Sequence, residues 1–388
     1  MNELQNVKHK TEFLIVGAGA AGCSLGYLLK KAGAEVLVLE RQDEATRAKL
    51  CAGILEARAE QAFTAVFGMS VDEAGLAPMN LEYFNLRCGT HELPRATKER
   101  SASGRESVAE SKPNGLGSSP DGYFKKSGKL LAKIILNQAV SYDWNKNGTF
   151  RTLPRKRLDD FIRDRYLSLG GKLLDCTVIR SVNEAAGVAQ CIDLRTKNLF
   201  EVQFGNLIGA DGACSAVRRL VSGTGPEASL ALETAVPLAG QGMIMQLIPG
   251  ALGYNWYIPR GDDATVGCYY MDLDYGPEAG AICRQRLAAF CDEIGIALPE
   301  RVPGALIPRG DQVMLQPGKR TFLVGDAAGL IDMFTGGGIH YALLSAQALA
   351  GSFTGGPFYA EAMKPHLAFI NKNAKNVKRY YNILHLVG

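Results

Sequence analysis

Residues 12 to 40 constrain the fold more than any other stretch of this chain. Phe13-Leu14-Ile15-Val16 is a continuous apolar run, the pattern of a strand buried on both faces of a parallel sheet. Gly17, Ala18, Gly19, Ala20, Ala21 and Gly22 follow without a break, then a helical stretch from Cys23 to Lys31 closed by Gly33. Glu35 to Leu39 reads as a second buried strand, ending on Glu40. This is a βαβ unit with a glycine-rich first turn. Gly17 permits the tight turn, Gly19 lets the backbone approach a pyrophosphate, and Gly22 allows the helix to pack closely on the strand. The helix N-terminus offers N–H groups and partial positive charge to the phosphates. Glu40 and the adjoining Arg41 lie where a ribose would sit. A carboxylate there accepts hydrogen bonds from the diol and disfavours a 2′-phosphate.

The rest of the chain has ample material for a core. Its 388 residues are 47% apolar and 21% charged, which suggests two lobes. The net charge of +4 is too mild for the concentrated basic stripe of a nucleic-acid-binding protein, so no nucleic-acid partner is expected. No run reaches the roughly 18 apolar residues of a spanning helix. The polar opening MNELQNVKHK is not a secretory signal. Nine cysteines are scattered without a CxxC pair, and five histidines without an HExxH spacing, so neither a disulfide framework nor a metal site is expected. Reduced, mostly buried thiols suggest the cytoplasm. The basic stretch Lys364 to Arg379 reads first as a solvated terminal helix docked on the core. Its alternative is a membrane-surface helix giving peripheral membrane contact.

The Ser-, Gly- and Lys-rich residues 97–128 read as a flexible surface excursion. A helix is predicted from Leu158 to Leu169. A β-rich region over 222–319 contains strand-like runs at Gly242–Ile248, Tyr254–Ile258 and Thr265–Met271, with helical periodicity at Ala279–Ile294. The expected fold is α/β: a Rossmann-like cofactor domain from 1–96, 129–221 and 320–388, with 222–319 inserted as a β-rich substrate-binding domain.

Two further segments are hydrophobic strands that stop abruptly at Gly and Asp. Leu207-Ile208-Gly209-Ala210-Asp211-Gly212 is one, and Phe322-Leu323-Val324-Gly325-Asp326 running to Gly329 is the other. Their order after the first glycine turn resembles flavoproteins with the glutathione-reductase type of FAD fold, in particular the hydroxylase and reductase branch. The resemblance implies bound FAD, with Asp326 on the ribityl chain. The backbone N–H groups around Gly337, Gly338 and Ile339 would face the flavin pyrimidine ring. Arg155 to Asp159 resembles that group's R-x-x-[LF]-D segment and implies Arg155 near the cofactor.

Lys49-Leu50-Cys51-Ala52-Gly53 is similar to the K-x-C-G-G segment of the geranylgeranyl reductase family, with Ala52 in place of Gly. Tyr254-Asn255-Trp256-Tyr257-Ile258-Pro259 is similar to its Y-x-W-x-F-P motif, with Ile258 in place of Phe. The resemblance implies reduction of isoprenoid or other lipophilic double bonds by hydride transfer from reduced flavin. It places Cys51 beside the cofactor and Tyr254 and Trp256 on the substrate cavity. No second GxGxxG occurs, so the reductant would be NAD(P)H in a transient encounter or a ferredoxin-like donor protein. Two alternatives stay open. Aromatic hydroxylases share all three FAD motifs, and flavin-dependent halogenases carry a W-x-W-x-I-P motif, so an FAD-dependent monooxygenase or halogenase fits the same residues. A non-catalytic flavin-binding sensor or membrane-associated partner is the second.

Overall fold

The computed structural model describes residues 7–81, 84–88, 139–142, 150–248, 251–273 and 276–387. The excursion expected at 97–128 lies outside them. In chain order the strands are β1 (Val7–Val16), β2 (Val36–Leu39), β3 (Ile54–Glu56), β4 (Met79–Asn80), β5 (Phe84–Cys88), β6 (Ala139–Tyr142), β7 (Phe150–Thr152), β8 (Lys172–Leu174) and β9 (Thr177–Asn183). They continue as β10 (Val188–Asp193), β11 (Leu199–Gly209), β12 (Ala228–Pro237), β13 (Met243–Leu247), β14 (Gly253–Pro259), β15 (Asp263–Tyr270), β16 (Gly304–Pro308) and β17 (Thr321–Leu323). The helices are α1 (Ala20–Lys31), α2 (Ala57–Phe67), α3 (Arg155–Ser168), α4 (Ala216–Ser222), α5 (Pro277–Glu293), α6 (Ile339–Phe353) and α7 (Tyr359–Val387).

The chain divides into two compact units. The first comprises 1–78, 153–229 and 305–377, and the second 79–152, 230–304 and 378–388. This differs from the expected boundaries in four places. The described residues 79–81, 84–88, 139–142 and 150–152 go with the β-rich unit, where β5 pairs in parallel with β13 and β6 pairs antiparallel with β5. Residues 222–229 and 305–319 go with the first unit, and 378–387 with the second.

The first unit is built on a sheet ordered β8-β2-β1-β11-β10-β9, with β17 also on β11. β8, β2, β1, β11 and β17 run parallel, while β10 and β9 close one side as an antiparallel pair. Leu14, Ile15, Val38, Leu39, Leu207 and Ile208 are wholly buried, as strands covered on both faces require. α7 lays Tyr359, Met363, Ile370, Ala374 and Val377 inward, while Lys364, Lys372, Lys375 and Lys378 are exposed. That is the amphipathic division of a docked surface helix. Among the described residues no helix is long and apolar enough to cross a membrane.

In the second unit the sheet runs β12-β15-β14-β13-β5-β6. β12, β15, β14 and β13 are successively antiparallel. Leu232, Tyr257, Val266, Cys268 and Tyr270 form one core with Cys283, Leu287 and Phe290 of α5. Alternate residues therefore point to the opposite face.

Tyr166 ties α3 to the parallel sheet. Its one hydroxyl hydrogen is donated to the Lys172 carbonyl (2.8 Å), with the Val36 carbonyl a second, longer acceptor at 3.2 Å, and a Cβ at either Gly26 or Gly171 would collide with its ring. Tyr166→Phe keeps the ring and removes this donor. It is expected to lower stability by about 1–3 kcal/mol, read as an earlier midpoint in urea unfolding.

Candidate functional site

The strand ends of β1, β2 and β11 meet at the first glycine turn. Gly17 N–H donates to the Leu39 carbonyl at 2.7 Å, and Ala210 N–H to the Val16 carbonyl at 2.8 Å. Gly17 has φ +107°, and a Cβ there would strike the Ala210 carbonyl; one at Gly22 would land on the Gly17 carbonyl oxygen. Side chains are thus excluded where the backbone crosses. Gly19 is the N-cap of α1 with no side-chain cap, which leaves the first amides of the helix for a ligand. Ala20 and Ala21 are buried in the first turn, and Gly325 fits against the Ala21 methyl.

Glu40 is held by the Ala18 N–H (3.0 Å) and the Gln42 N–H (2.9 Å). Arg47, which motif reading missed, approaches the Glu40 carboxylate at 3.3 Å and the Asp159 carboxylate at 3.7 Å. Its Nη2 lies 3.6 Å from where a Gly19 Cβ would be. Asp159 in turn accepts from Arg155 Nε at 2.9 Å, and Arg155 interacts with Cys51. Burial opposes the Arg155 charge, yet Asp159 and Cys51 outweigh it and its pKa is raised. Glu40, Arg47, Asp159, Arg155 and Cys51 thus form one chain of alternating charge ending on a thiol. Arg41 is exposed.

The Lys49–Gly53 segment is clamped at both ends. Lys49 Nζ pairs with Asp326 at 3.2 Å. Gly53 donates to Cys51 Sγ at 3.4 Å and accepts from Leu153 N–H at 3.0 Å. With φ +76° and the Leu153 carbonyl where a Cβ would stand, position 53 requires glycine, whereas Ala52 is tolerated. A Cβ at Gly338 would lie 2.8 Å from Asp326 Oδ1, and one at Gly337 3.3 Å from Glu56 Oε1. The third motif, the Lys49 segment and the glycine turn before α6 therefore converge on Asp326.

Gly337 N–H donates to Thr335 Oγ1 at 3.1 Å, so that amide is committed within the turn; Gly338 caps α6, which begins at Ile339. The Asp211 carboxylate accepts from Ser215 Oγ (2.6 Å), Ala216 N–H (2.6 Å) and Val217 N–H (3.2 Å), so it caps α4. Gly212 and Gly329 take positive φ and turn the chain after each motif. Asp43, Asp175 and Cys176 gather within 4.8 Å, but Arg195 bridges Asp43 at 2.7 Å and Asp175 at 2.6 Å, answering the negative charge.

Tyr254 and Trp256 belong to the second unit and lie on the sheet face opposite α5. Both are buried, with ring centroids 5.8 Å apart, and Trp256 Nε1 donates to Thr265 Oγ1 at 3.2 Å. Tyr254 also meets Tyr269 edge-on at 6.3 Å.

A side-chain-free crossing, an uncapped helix N-terminus, a carboxylate fixed by two amides and a flanking Arg suit the pyrophosphate and ribose of a dinucleotide. Residues 10–237 match the FAD binding domain family. The chain is 25% identical to digeranylgeranylglycerophospholipid reductase 2 of Methanothermobacter thermautotrophicus, over 98% of this chain and 89% of that protein. A geranylgeranyl bacteriochlorophyll reductase-like structure from Thermoplasma acidophilum superposes with TM-score 0.62 at 17% identity, covering 97% of this chain and 85% of that one. The flavin-dependent monooxygenase PieE, in complex with FAD and substrate, gives 0.60 at 16% identity, covering 98% and 72%.

Arg47→Ala is expected to weaken FAD binding about ten- to hundredfold, measured by titrating apoprotein against flavin fluorescence. A separate expectation concerns acid. Burial, then the Arg58 charge, lowers the pKa of His340 from 6.5 to about 4, and its Nδ1 lies 3.0 Å from the Arg58 carbonyl oxygen. The native chain thus holds this proton less readily than the unfolded chain. The contribution of His340 to stability is full above its ordinary value of 6.5 and is lost as pH falls towards 4. Neighbouring His366 is lowered too, again mainly by burial, and steepens the loss. Thermal melts of His340→Asn across that window are expected to show a shallower decline than the parent chain.

Proposed function

This chain belongs to the FAD binding domain family, and on that premise we propose that it reduces carbon–carbon double bonds of an isoprenoid or other lipophilic substrate. That it is an FAD-dependent oxidoreductase follows from the family itself. Double-bond reduction is supported above all by the Lys49–Asp326 ion pair together with the Cys51–Arg155 contact. They build the segment similar to that of geranylgeranyl reductases into the cofactor framework, where a surface loop would have no such ties. The relative covering 98% of this chain carries a lipid reductase name, which supports the same reading.

Each group of residues then has a task. Gly17 to Gly22 and the start of α1 would hold the pyrophosphate, and Glu40, set by Arg47, would hold the ribose. Asp326, shared with Lys49, would take the ribityl chain, and the Gly338 end of α6 would face the flavin ring. Bound FAD supplies reducing power as a hydride equivalent, drawn in turn from NAD(P)H or a ferredoxin-like donor. Tyr254 and Trp256 offer broad, rigid apolar surface to a prenyl chain at low entropic cost. Orientation of the double bond and exclusion of water are the protein's principal contributions.

An oxygen-using enzyme is the second reading. Ile258-Pro259 fits the halogenase version of the strand motif, and PieE shares the fold over nearly the whole chain. Anaerobic photoreduction separates the two. With geranylgeranyl diphosphate added under strict anaerobiosis, the flavin absorbance is expected to return and the product to gain two mass units per reduced double bond. Flavin that stays reduced until air enters, followed by oxygen or halogen incorporation into an aromatic acceptor, would replace the reductase reading.

A further inference from the structure

The sheet face that carries Tyr254 and Trp256 holds one carboxyl that no motif marks. Leu232 and Val236 of β12 belong to the core with α5, so Ala231, Glu233 and Ala235 alternate onto the opposite face. Glu233 pairs with Gly267 of β15, and Gly267 pairs on its other side with Trp256 of β14. A Cβ at Gly267 would collide with the Trp256 indole. The absent side chain therefore lets the indole lie across β15, towards the strand that bears Glu233. Trp256 is anchored there through Thr265, which stands beside Ala235 in the ladder.

Burial along β12 changes at this point. Ala231 and Glu233 are buried at 7% and 6%, whereas Ala235, two residues further on the same face, is exposed. Glu233 thus stands where an apolar, aromatic surface gives way to solvent. Its main-chain N–H donates to the Pro303 carbonyl at 3.1 Å, which fixes the strand at this residue. An acid at such a boundary can meet an apolar substrate on one side and exchange protons with water on the other.

We infer that Glu233 is the proton donor for the substrate bound on this face. The inference rests on the double-bond reductase reading above. One alkene carbon takes a hydride equivalent and the other takes the Glu233 proton. The π bond, the carboxyl O–H bond and the bond that held the hydride in its donor break, and two C–H bonds form; the donor is oxidised by two electrons as the alkene is reduced, and the carboxylate regains its proton from water at the Ala235 end. Tyr254 and Trp256 hold the chain; Glu233 decides which side of the second carbon is protonated.

The test uses FAD-loaded enzyme, photoreduced without oxygen and mixed with geranylgeranyl diphosphate in D2O. All variants carry Trp144→Phe, which leaves Trp256 as the sole tryptophan and a fluorescence reporter of binding. Glu233→Gln is expected to slow flavin reoxidation about a hundredfold, the lower end of what general acids contribute. Substrate affinity by Trp256 quenching stays within about twofold of the parent, while the deuterium stereochemistry at the protonated carbon is scrambled. Glu233→Asp retains an acid and keeps the parent stereochemistry at a reduced rate. Reoxidation of Glu233→Gln at the parent rate with unchanged stereochemistry overturns the assignment and leaves the reductase reading standing. If Glu233→Gln does not fold, Glu233→Asp with scrambled stereochemistry overturns it equally. Absence of reoxidation in the parent enzyme overturns the reductase reading and the assignment with it.

Discussion

The cofactor half of the structure depends on a buried chain of alternating charge. Glu40, Arg47, Asp159 and Arg155 succeed one another as acid, base, acid and base, and Cys51 closes the series. Arg47, Asp159 and Arg155 side chains are no more than 9% exposed, so each charge relies on its neighbours for compensation. Buried ion pairs of this kind seldom add net stability, but removing one partner strands the next at a cost of roughly 3–5 kcal/mol. Their value is positional. Glu40 directly follows β2, Arg47 and Cys51 lie in the irregular segment beyond it, and Arg155 and Asp159 sit on the first turns of α3. The network fixes three distant stretches of chain around the place where a nucleotide fits.

The second constraint is steric. Gly17, Gly22 and Ala210 bring two strand ends and a helix start closer than side chains allow, and Gly325 repeats the device against Ala21. Two parallel strands and two helix starts can then present main-chain amides to one elongated ligand. Lys49 joins the two halves of this arrangement, because its segment begins beside Arg47 and its ammonium reaches Asp326.

Much of this was legible in the sequence, and the parts that were not share a cause. The βαβ unit, the two Gly-Asp corners and α3 announce themselves through local rules: continuous apolar runs, turn glycines and helical periodicity. α3 began at Arg155, a little before the expected Leu158, because the polar first turn hides it from an apolar count. β1 started at Val7 for a similar reason, since Lys8 to Thr11 is polar, yet His9, Lys10 and Thr11 pair with β11. The placement of β5 and β6 was invisible because pairing with β13 spans a long separation that leaves no local signal. Arg47 carried a faint one. Arg47, Lys49 and Cys51 are alternate residues of a segment without helix or ladder, and each reaches a different buried or half-buried partner of the site. An alternation of polar, chemically capable residues directly after a nucleotide-binding unit is a pattern that a search for contiguous motifs passes over.

Glu233 shows the limit from the other direction. In Ala228 to Pro237 it is the sole charged residue of a strand, and a lone acid on a strand is ordinarily a solvent-facing one. What reverses that reading is register. Pairing with Gly267 places Glu233 on the same face as Trp256, and the core residues Leu232 and Val236 on either side assign the other face to α5. A shift of one residue in the β12–β15 ladder would send the carboxyl into the α5 core and Leu232 towards the aromatics. The chemistry open to this face is therefore set by strand pairing as much as by composition. The glycine at 267 belongs to that specification, since only a residue without a side chain lets the indole and the acid occupy neighbouring positions across it.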